Sequence, residues 1–374
     1  MSIKDLCFRA QSALQSQHGI AAKRSHLHEV LAALFGYGSH AALGAEAIYA
    51  QTEDGGPPAT VDREVATSRA QRCGYSPSES GVVASVLEEL AERERLCVTS
   101  VRIVLAQIQG EDAVERELFS DVSAGDDEPD ALASGAPPQL DLDSSILRAS
   151  LKGAAERGSA DAHLALALLL DDREDDWDDT PAPGLDGSYW FEQMQSGRKL
   201  TGAELEWAVA YQESKLRREA CVRHLQQAAA GGVAEAALRL AELSRDEHTF
   251  STALKKVAPE QAARLAEVAL ELGREGDALE LLRTAAATGD VDAMRVLADR
   301  LRDDEEAWMW VYVAELCGHD MRRAEAIHED GTPYDDDVGG PVFVAVEFDR
   351  PALADAADAR AKAQADQIFQ TMRT

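Results

Sequence analysis

The sequence predicts an all-α protein built largely from repeated helix pairs. Three stretches, at 151–170, 225–244 and 282–301, are nearly alike. Each contains an alanine-rich helical end, a glycine, a polar step and a second helix rich in alanine and leucine. The chain is 45% hydrophobic but only 5% aromatic, a composition that favours helices. Stacked helix–turn–helix units form solenoids, so we expect more than roughly 60% helix. At most one short β element is expected, near 341–348.

Residues 1–120 precede the repeats and are predicted to form a separate helical module. Apolar spacing and capping residues indicate six helices there. Their predicted ranges are 4–16, 25–34, 39–49, 62–72, 76–95 and 99–108. Residues 121–143 are acidic and contain Gly, Pro and Ser without a sustained apolar stripe. This second segment is therefore predicted to be a flexible linker.

Residues 144–330 are predicted to hold about six helix-pair units. Three are degenerate, at 189–212, 250–272 and 307–328. A left-handed residue commonly ends a helix, and glycine adopts that conformation most easily. The glycines predicted to occupy this position are Gly158, Gly197, Gly232, Gly289 and Gly318. Ser159 and Asp290 follow two of them and can cap the second helices.

The repeated pattern resembles the Sel-one-like repeat, a relative of the tetratricopeptide repeat. The residues that match its small-residue core are Ala155 with Gly158, Ala229 with Gly232, and Ala286 with Gly289. Those that stand where its aromatic pair belongs are Trp190, Phe191, Trp308, Trp310 and Tyr312. The resemblance covers about half of the chain. It implies a right-handed α/α solenoid used for protein–protein recognition, and it implies no catalytic residue. Its aromatic residues are expected to be core.

The last segment, 331–374, is predicted to close the solenoid. Residues 331–340 read as a loop, and 341–348 form the one strand-like run, whose pairing partner the sequence does not identify. Residues 351–372 are predicted to form an amphipathic helix. Such a helix can cover the apolar end of the last repeat.

Charge is the strongest indication of a partner class. The formal net charge is −31, which repels nucleic acid and anionic membranes and attracts basic proteins. Solvated loops are the alternative explanation for the clustered acids. The acidic residues proposed to face a basic protein are Asp175, Asp176, Asp178, Asp179, Asp303, Asp304, Glu305 and Glu306. The basic cluster proposed to bind an acidic patch, in the partner or in the linker, is Arg217, Arg218 and Arg223.

Residues 19–46 also have the spacing of a helix-turn-helix, in which Lys23 and Arg24 would touch phosphate. The second helix of that segment carries no Arg, Lys, Asn or Gln to read bases. A structural or protein-docking role is therefore favoured over contact with nucleic acid.

The sequence shows no pattern typical of catalysis, cofactor binding or metal binding. Its five cysteines are widely spread and form no Cys-x-x-Cys pair, and it has no phosphate-binding or nucleophile motif. No apolar run reaches the ~18 residues that a bilayer requires. A non-enzymatic protein of the cytoplasm, without cofactor or metal, is expected.

Two functions fit these features. The first is a protein-binding solenoid, most concretely a bacterial immunity or antitoxin-like neutraliser, or an adaptor, that captures a basic protein. The second is a DNA-associated regulator, with the N-terminal module on DNA and the solenoid sensing a partner. The oligomeric state is left open.

Overall fold

The computed structural model confirms the all-α class. It describes residues 2–53, 61–120, 139–171, 187–322, 324–327, 343–346, 348 and 350–373. The structure is 72% helical. Two compact units divide the chain, Met1–Val233 and Ala234–Thr374, so the division falls inside the segment predicted as one solenoid. Among the described helices, none is both long and apolar enough to cross a bilayer.

The described residues of the first unit form ten helices and two strands. They are α1 (Ile3–His18), α2 (Arg24–Leu34), α3 (His40–Glu46), β1 (Ile48–Gln51), α4 (Arg63–Arg72), α5 (Pro77–Arg93), β2 (Leu96–Thr99), α6 (Val101–Ser120), α7 (Ser145–Glu156), α8 (Ala160–Leu168), α9 (Ser188–Gln195) and α10 (Ala203–Ala230). All six helices expected in 1–120 are present, with shifted ends. The side chains of α1, α2, α4 and α5 share one buried core.

The second unit contains seven helices and two strands among its described residues. They are α11 (Ala234–Ser244), α12 (Glu247–Leu254), α13 (Ala262–Glu271), α14 (Glu275–Ala287), α15 (Val291–Arg300), α16 (Asp304–Leu316), β3 (Ala324–Ile327), β4 (Phe343–Val346) and α17 (Asp355–Met372). A short 3-10 turn, Pro259–Gln261, precedes α13, so the predicted unit 250–272 has a turn between its two helices.

The expectation of a single β element was wrong. The helix predicted over 39–49 ends at Glu46, and β1 pairs antiparallel with β2, with Ile48 opposite Thr99. Ile48, Tyr49 and Val98 have the β-branched or aromatic side chains that strands favour. The two strands have four residues each and lie far apart in sequence. Neither strand is long enough to show a clear two-residue period by itself.

The end of the predicted flexible linker packs into the first unit. Leu140 is buried, forms a bridge with Thr52, and its backbone N–H donates to Gln107 Oε1 at 3.1 Å. These contacts give residues 139–143 a defined place beside β1. Residues 121–138 of the predicted linker lie outside the described part of the chain.

The glycine turns have the predicted backbone conformation. The φ angles are 93° at Gly158, 88° at Gly197, 97° at Gly232, 100° at Gly289 and 97° at Gly318. Ser159 caps α8 by accepting from the backbone N–H of Ala162 at 3.2 Å. Asp290 caps α15 by accepting from the N–H of Ala293 at 2.9 Å. The helix pairs α7–α8 and α14–α15 therefore share one local design.

Helix α10 departs from the predicted repeat. The second helix of the unit at 189–212 and the helix that ends before Gly232 are one continuous helix of 28 residues. Neither glycine nor proline occurs between Ala203 and Ala230, so nothing in the backbone chemistry ends a helix there. The expectation of six separate helix pairs was wrong at this point.

The last predicted unit, 307–328, is only half correct. Its first helix is α16, followed by the turn at Gly318, but the second half contains β3 instead of a helix. Strand β3 pairs antiparallel with β4, with Ala324 opposite Val346. Strand β4 lies within the predicted strand at 341–348, and β3 is the partner that the sequence left unidentified. Helix α17 packs on α16, as expected for a closing helix.

Candidate protein-binding surfaces

Two acidic segments were predicted to face a partner, and the structure describes one of them. Asp175, Asp176, Asp178 and Asp179 lie outside the described residues. Asp303, Asp304, Glu305 and Glu306 lie at the start of α16 and are held by contacts within the second unit.

Asp303 is the N-cap of α16. Its carboxylate accepts from the backbone N–H groups of Glu305 at 2.9 Å and Glu306 at 3.3 Å. Those N–H groups would otherwise lack partners in the first turn of the helix. This aspartate therefore stabilises α16 directly.

The other three acids form ion pairs with arginines distant in sequence. Asp304 contacts Arg350 at 3.1 Å. Glu305 accepts two hydrogen bonds from Arg360 on α17, at 2.9 and 2.6 Å, and these bonds lower the pKa of its carboxyl group.

Glu306 completes the set by accepting from Arg283 on α14 at 2.7 and 3.2 Å, a contact that raises the pKa of the arginine. The four acids together hold α14, α16 and the C-terminal segment of the second unit in place. A basic partner would have to compete with these internal contacts.

The predicted basic cluster is not a single face. Arg217, Arg218 and Arg223 all lie on α10 and are exposed. Successive residues of an α-helix are about 100° apart, so these three side chains leave the helix axis in three directions separated by roughly 100–140°. The three arginines therefore cannot all contact one acidic patch unless that patch wraps around the helix.

Several exposed apolar side chains that the sequence analysis did not single out lie on α9 and the first half of α10. Ten large apolar side chains are exposed in the described chain, and five of them are here. The five are Tyr189 at 48%, Leu205 at 41%, Trp207 at 52%, Val209 at 38% and Leu216 at 57% exposed. In the sequence, the spacing of Leu205, Val209 and Leu216 places these three residues on one side of a helix.

Most of the aromatic residues predicted to be core are buried. Phe191, Trp308 and Trp310 are buried, whereas Trp190 is partly buried and lies 5.4 Å from the guanidinium carbon of Arg198. Trp308 Nε1 donates to the backbone oxygen of Pro351 at 3.0 Å, which ties α16 to the segment before α17.

Lys23 and Arg24, the residues considered for phosphate contact, take part in local structure. Lys23 precedes α2, and its backbone N–H donates to the Tyr75 hydroxyl at 3.3 Å. Arg24 Nε donates to Gln11 Oε1 at 3.2 Å, and its guanidinium carbon lies 5.3 Å from the centre of the Phe8 ring. The Arg24 side chain is thereby held against α1.

A polar cluster lies inside the N-terminal core. Cys7 Sγ is 3.6 Å from His28 Nδ1, and the His28 and His40 rings are 4.8 Å apart. Burial raises the pKa of the Cys7 thiol to about 12, so it stays protonated and is a poor nucleophile near neutral pH. Burial also lowers the pKa of His28. Within the described residues, no group of three or more His, Cys, Asp or Glu side chains is arranged to hold a metal ion.

A second histidine pair joins α8 to α10. His163 Nδ1 and His224 Nδ1 are 2.8 Å apart, so at least one ring must be neutral for them to share a hydrogen bond. Burial, followed by the neighbouring His163, lowers the pKa of His224. This contact helps to hold the C-terminal half of α10 against α8.

Comparison with protein-family models, curated proteins and solved structures finds no match.

Proposed function

We propose that this chain is a non-catalytic protein-binding scaffold that captures a basic protein, as an immunity or antitoxin-like neutraliser or an adaptor would. The observation that carries the proposal is the recurrence of one helix-pair design. The turns at Gly158 and Gly289 have similar φ angles, of 93° and 100°. In both, a capping residue directly follows the glycine, and alanines lie where the two helices cross. Arrays of such pairs are used mainly to bind other proteins. Membership of the Sel-one-like family stays a prediction.

The charge of the chain supports a basic partner. A net charge of −31 attracts basic proteins from a distance and accelerates their encounter. Because Asp303, Asp304, Glu305 and Glu306 already have contacts in their own unit, we assign the direct contact to Asp175, Asp176, Asp178 and Asp179. The acids on α16 then contribute to the long-range field alone.

The two acidic sets make a matched experiment. The full chain, tagged, is used to recover its partner from native lysate, and the purified pair is then studied by stopped-flow mixing. Changing Asp175, Asp176, Asp178 and Asp179 together to Asn should slow association without altering the free energy of unfolding. Changing Glu305 and Glu306 to Gln should lower stability and have a smaller effect on the association rate.

Salt supplies the independent arm of that experiment. Exposed charges are screened beyond about 8–10 Å at physiological ionic strength, so added salt should slow association with a basic partner. An acidic partner, or an association rate that ignores both salt and the four Asn substitutions, would disprove the electrostatic part of the proposal. Failure to retain any protein under native conditions would count against capture itself.

The DNA-associated alternative has less support. Arg24 is held by Gln11 and lies over Phe8, and α3 has only seven residues. Salt-dependent binding of duplex DNA by the full chain would revive this alternative.

A further inference from the structure

The contact between α8 and the C-terminal half of α10 contains a pair of half-buried histidines, His163 and His224. Their Nδ1 atoms are 2.8 Å apart and their ring centres 5.1 Å apart. Apolar residues of α10 are buried on both sides of His224, with Cys221 before it and Leu225 after it. Helix α9 packs chiefly on α10, and α10 packs on α8. This contact therefore attaches α10 to the preceding helices of the first unit.

The protonation state of the two rings decides whether the contact can form. When both rings are neutral, Nδ1 of one ring can carry a proton and donate it to the lone pair of the other Nδ1. One added proton leaves this arrangement possible, because an imidazolium can donate to a neutral imidazole. When both rings are protonated, both Nδ1 atoms are donors and two positive charges face each other. The second proton is thus the one that breaks the contact.

Cationic neighbours make the second proton more costly. After the larger effect of burial, the side chains that lower the pKa of His224 are His163 of α8, Arg223 of α10 and Lys152 of α7. Each of these groups is positively charged when protonated. The cations of three helices therefore oppose a further positive charge at this place.

The acids on the surrounding helices are engaged elsewhere or open to solvent. Asp161 of α8 lies 4.0 Å from an arginine of α6. Glu156 of α7 and Glu219 of α10 are exposed, so water screens their charges. Glu192 of α9 is also exposed, and α9 packs on the other half of α10. These carboxylates offer the doubly protonated pair little compensation.

We propose that His163 and His224 form a pH-sensitive contact, which holds α10 on α8 at neutral pH and opens when both rings are protonated. An unperturbed histidine takes up its proton near pH 6.5, so the opening is expected from about pH 6.5 to 5. Burial of Cys221 and Leu225 still favours the closed contact, so acid raises the fraction of open molecules rather than unfolding the unit. The inference does not rest on the proposed function, and either can fail without the other.

The thiol of Cys221 reports this opening directly. It is buried, lies three positions before His224 and therefore on the same side of α10, and donates to the backbone oxygen of Ala167 on α8 at 3.5 Å. Cys97 is a control within the same molecule, because it is buried in a core with α7 and α8 that includes no residue of α10. Labelling of Cys221 without labelling of Cys97 distinguishes opening of this contact from general unfolding.

The experiment is thiol labelling of the full chain by 4,4′-dithiodipyridine, a reagent that reacts in acid, with peptide mass spectrometry to identify each thiol. The less buried Cys73 and Cys317 are changed to Ser beforehand. Each rate is divided by the rate of the urea-unfolded chain at the same pH, which removes the intrinsic effect of pH on the thiol. From about pH 7.5 to 5, this ratio should rise about tenfold for Cys221 and far less for Cys97.

Asparagine variants test the mechanism. In His163→Asn, the side-chain amide can replace Nδ1 and can either donate or accept, so the contact survives protonation of His224. Cys221 should then stay protected down to about pH 5, and His224→Asn should have the same effect. The matched control is His28→Asn, because His28 also lies beside a histidine ring, that of His40 at 4.8 Å, but away from α8. This control should leave the rise at Cys221 unchanged.

Proton NMR of the histidine Cε1–H groups gives a readout that needs no variant. The pair should titrate in two separated steps, and the second should coincide with the labelling of Cys221. A labelling ratio for Cys221 that does not change with pH would overturn the inference. A parallel rise at Cys97, an equal rise in His163→Asn and the wild type, or a single titration step for both rings would overturn it as well.

Discussion

Replacing Gly289 with valine should destabilise the second unit through backbone conformation rather than through a clash. Gly289 follows α14 with a φ of 100°. A Cβ built at this position meets only Met372 Cε, at 3.5 Å, which is an ordinary van der Waals distance. The turn itself is held by the N–H of Gly289 donating to the oxygen of Ala286 at 3.1 Å. The main cost of a side chain here is therefore the left-handed backbone.

The expected magnitude follows from two opposing terms. Holding an L-residue in a left-handed conformation costs about 1–2 kcal/mol. Any side chain also restricts the unfolded chain, and this stabilises the folded state by about 0.4–1 kcal/mol relative to glycine. Gly289→Ala should thus lose a few tenths to about 1 kcal/mol, and Gly289→Val, being β-branched, about 1–2 kcal/mol. Gly289→Asn should lose least, because asparagine tolerates this region of backbone space. Gly232→Val should show a loss of similar size, since its φ is 97° and nothing lies within 4 Å of its Cβ position.

The same helix provides the control. Gly276 is exposed near the start of α14, and nothing lies within 4 Å of the position of its Cβ. Since alanine is favoured over glycine in a helix, and Gly276 lies in the first turn rather than the middle, Gly276→Ala should raise stability by up to about 0.5 kcal/mol. Urea unfolding followed by circular dichroism and by tryptophan fluorescence gives the free energies. Equal stabilities for wild type and Gly289→Val, or alanine effects of the same sign at both positions, would refute this explanation of the turn.

Three further predictions concern pH, an ion pair and a helix cap. Burial lowers the pKa of His28 and of His224, so the folded chain favours the neutral form of both side chains. The free energy of unfolding should therefore be highest above the unfolded pKa of about 6.5 and fall as the pH drops through that value. A urea midpoint that is flat from about pH 8 to 5 would contradict this. Arg264→Met should cost about 1–3 kcal/mol in urea unfolding, because Arg264 donates two hydrogen bonds to the carboxylate of Glu242 and two to that of Glu235, both largely buried; an unchanged midpoint would show that these contacts are dispensable. Asp303→Ala should cost about 0.5–2 kcal/mol by removing the cap of α16, and unaltered thermal unfolding would exclude a capping role.

The sequence predicts the local features of this fold well. A glycine at φ 93° or 100° and a capping residue directly after it, as at Gly158–Ser159 and Gly289–Asp290, depend on a few neighbouring residues. The same holds for Asp62, whose side chain accepts from the N–H of Val65 at the start of α4. Such interactions span three or four positions, so the residue pattern itself contains the information.

Pairing between distant segments could not be predicted in this way. Strand β1 takes its partner from a segment more than forty residues away, and β3 likewise pairs with β4 across residues 328–342. A four-residue strand is too short to show a reliable period of two, and its partner depends on the packing of intervening helices. The continuity of α10 is a different case. Neither glycine nor proline occurs from Ala203 to Ala230, which favours one continuous helix, whereas the repeat length predicts a break there.

The acids of α16 show why charge counts alone do not locate a binding site. Asp304, Glu305 and Glu306 form ion pairs with the arginines at positions 350, 360 and 283. The sequence alone does not show which acid pairs with which arginine. Pairing does not change the net charge, so the long-range attraction for a basic protein persists. Internal pairing does weaken direct contact with a partner, because a paired carboxylate must first separate from its arginine. Substitutions in α16 should therefore act on folding and substitutions in 171–179 on encounter, and comparing stability with association rate separates the two.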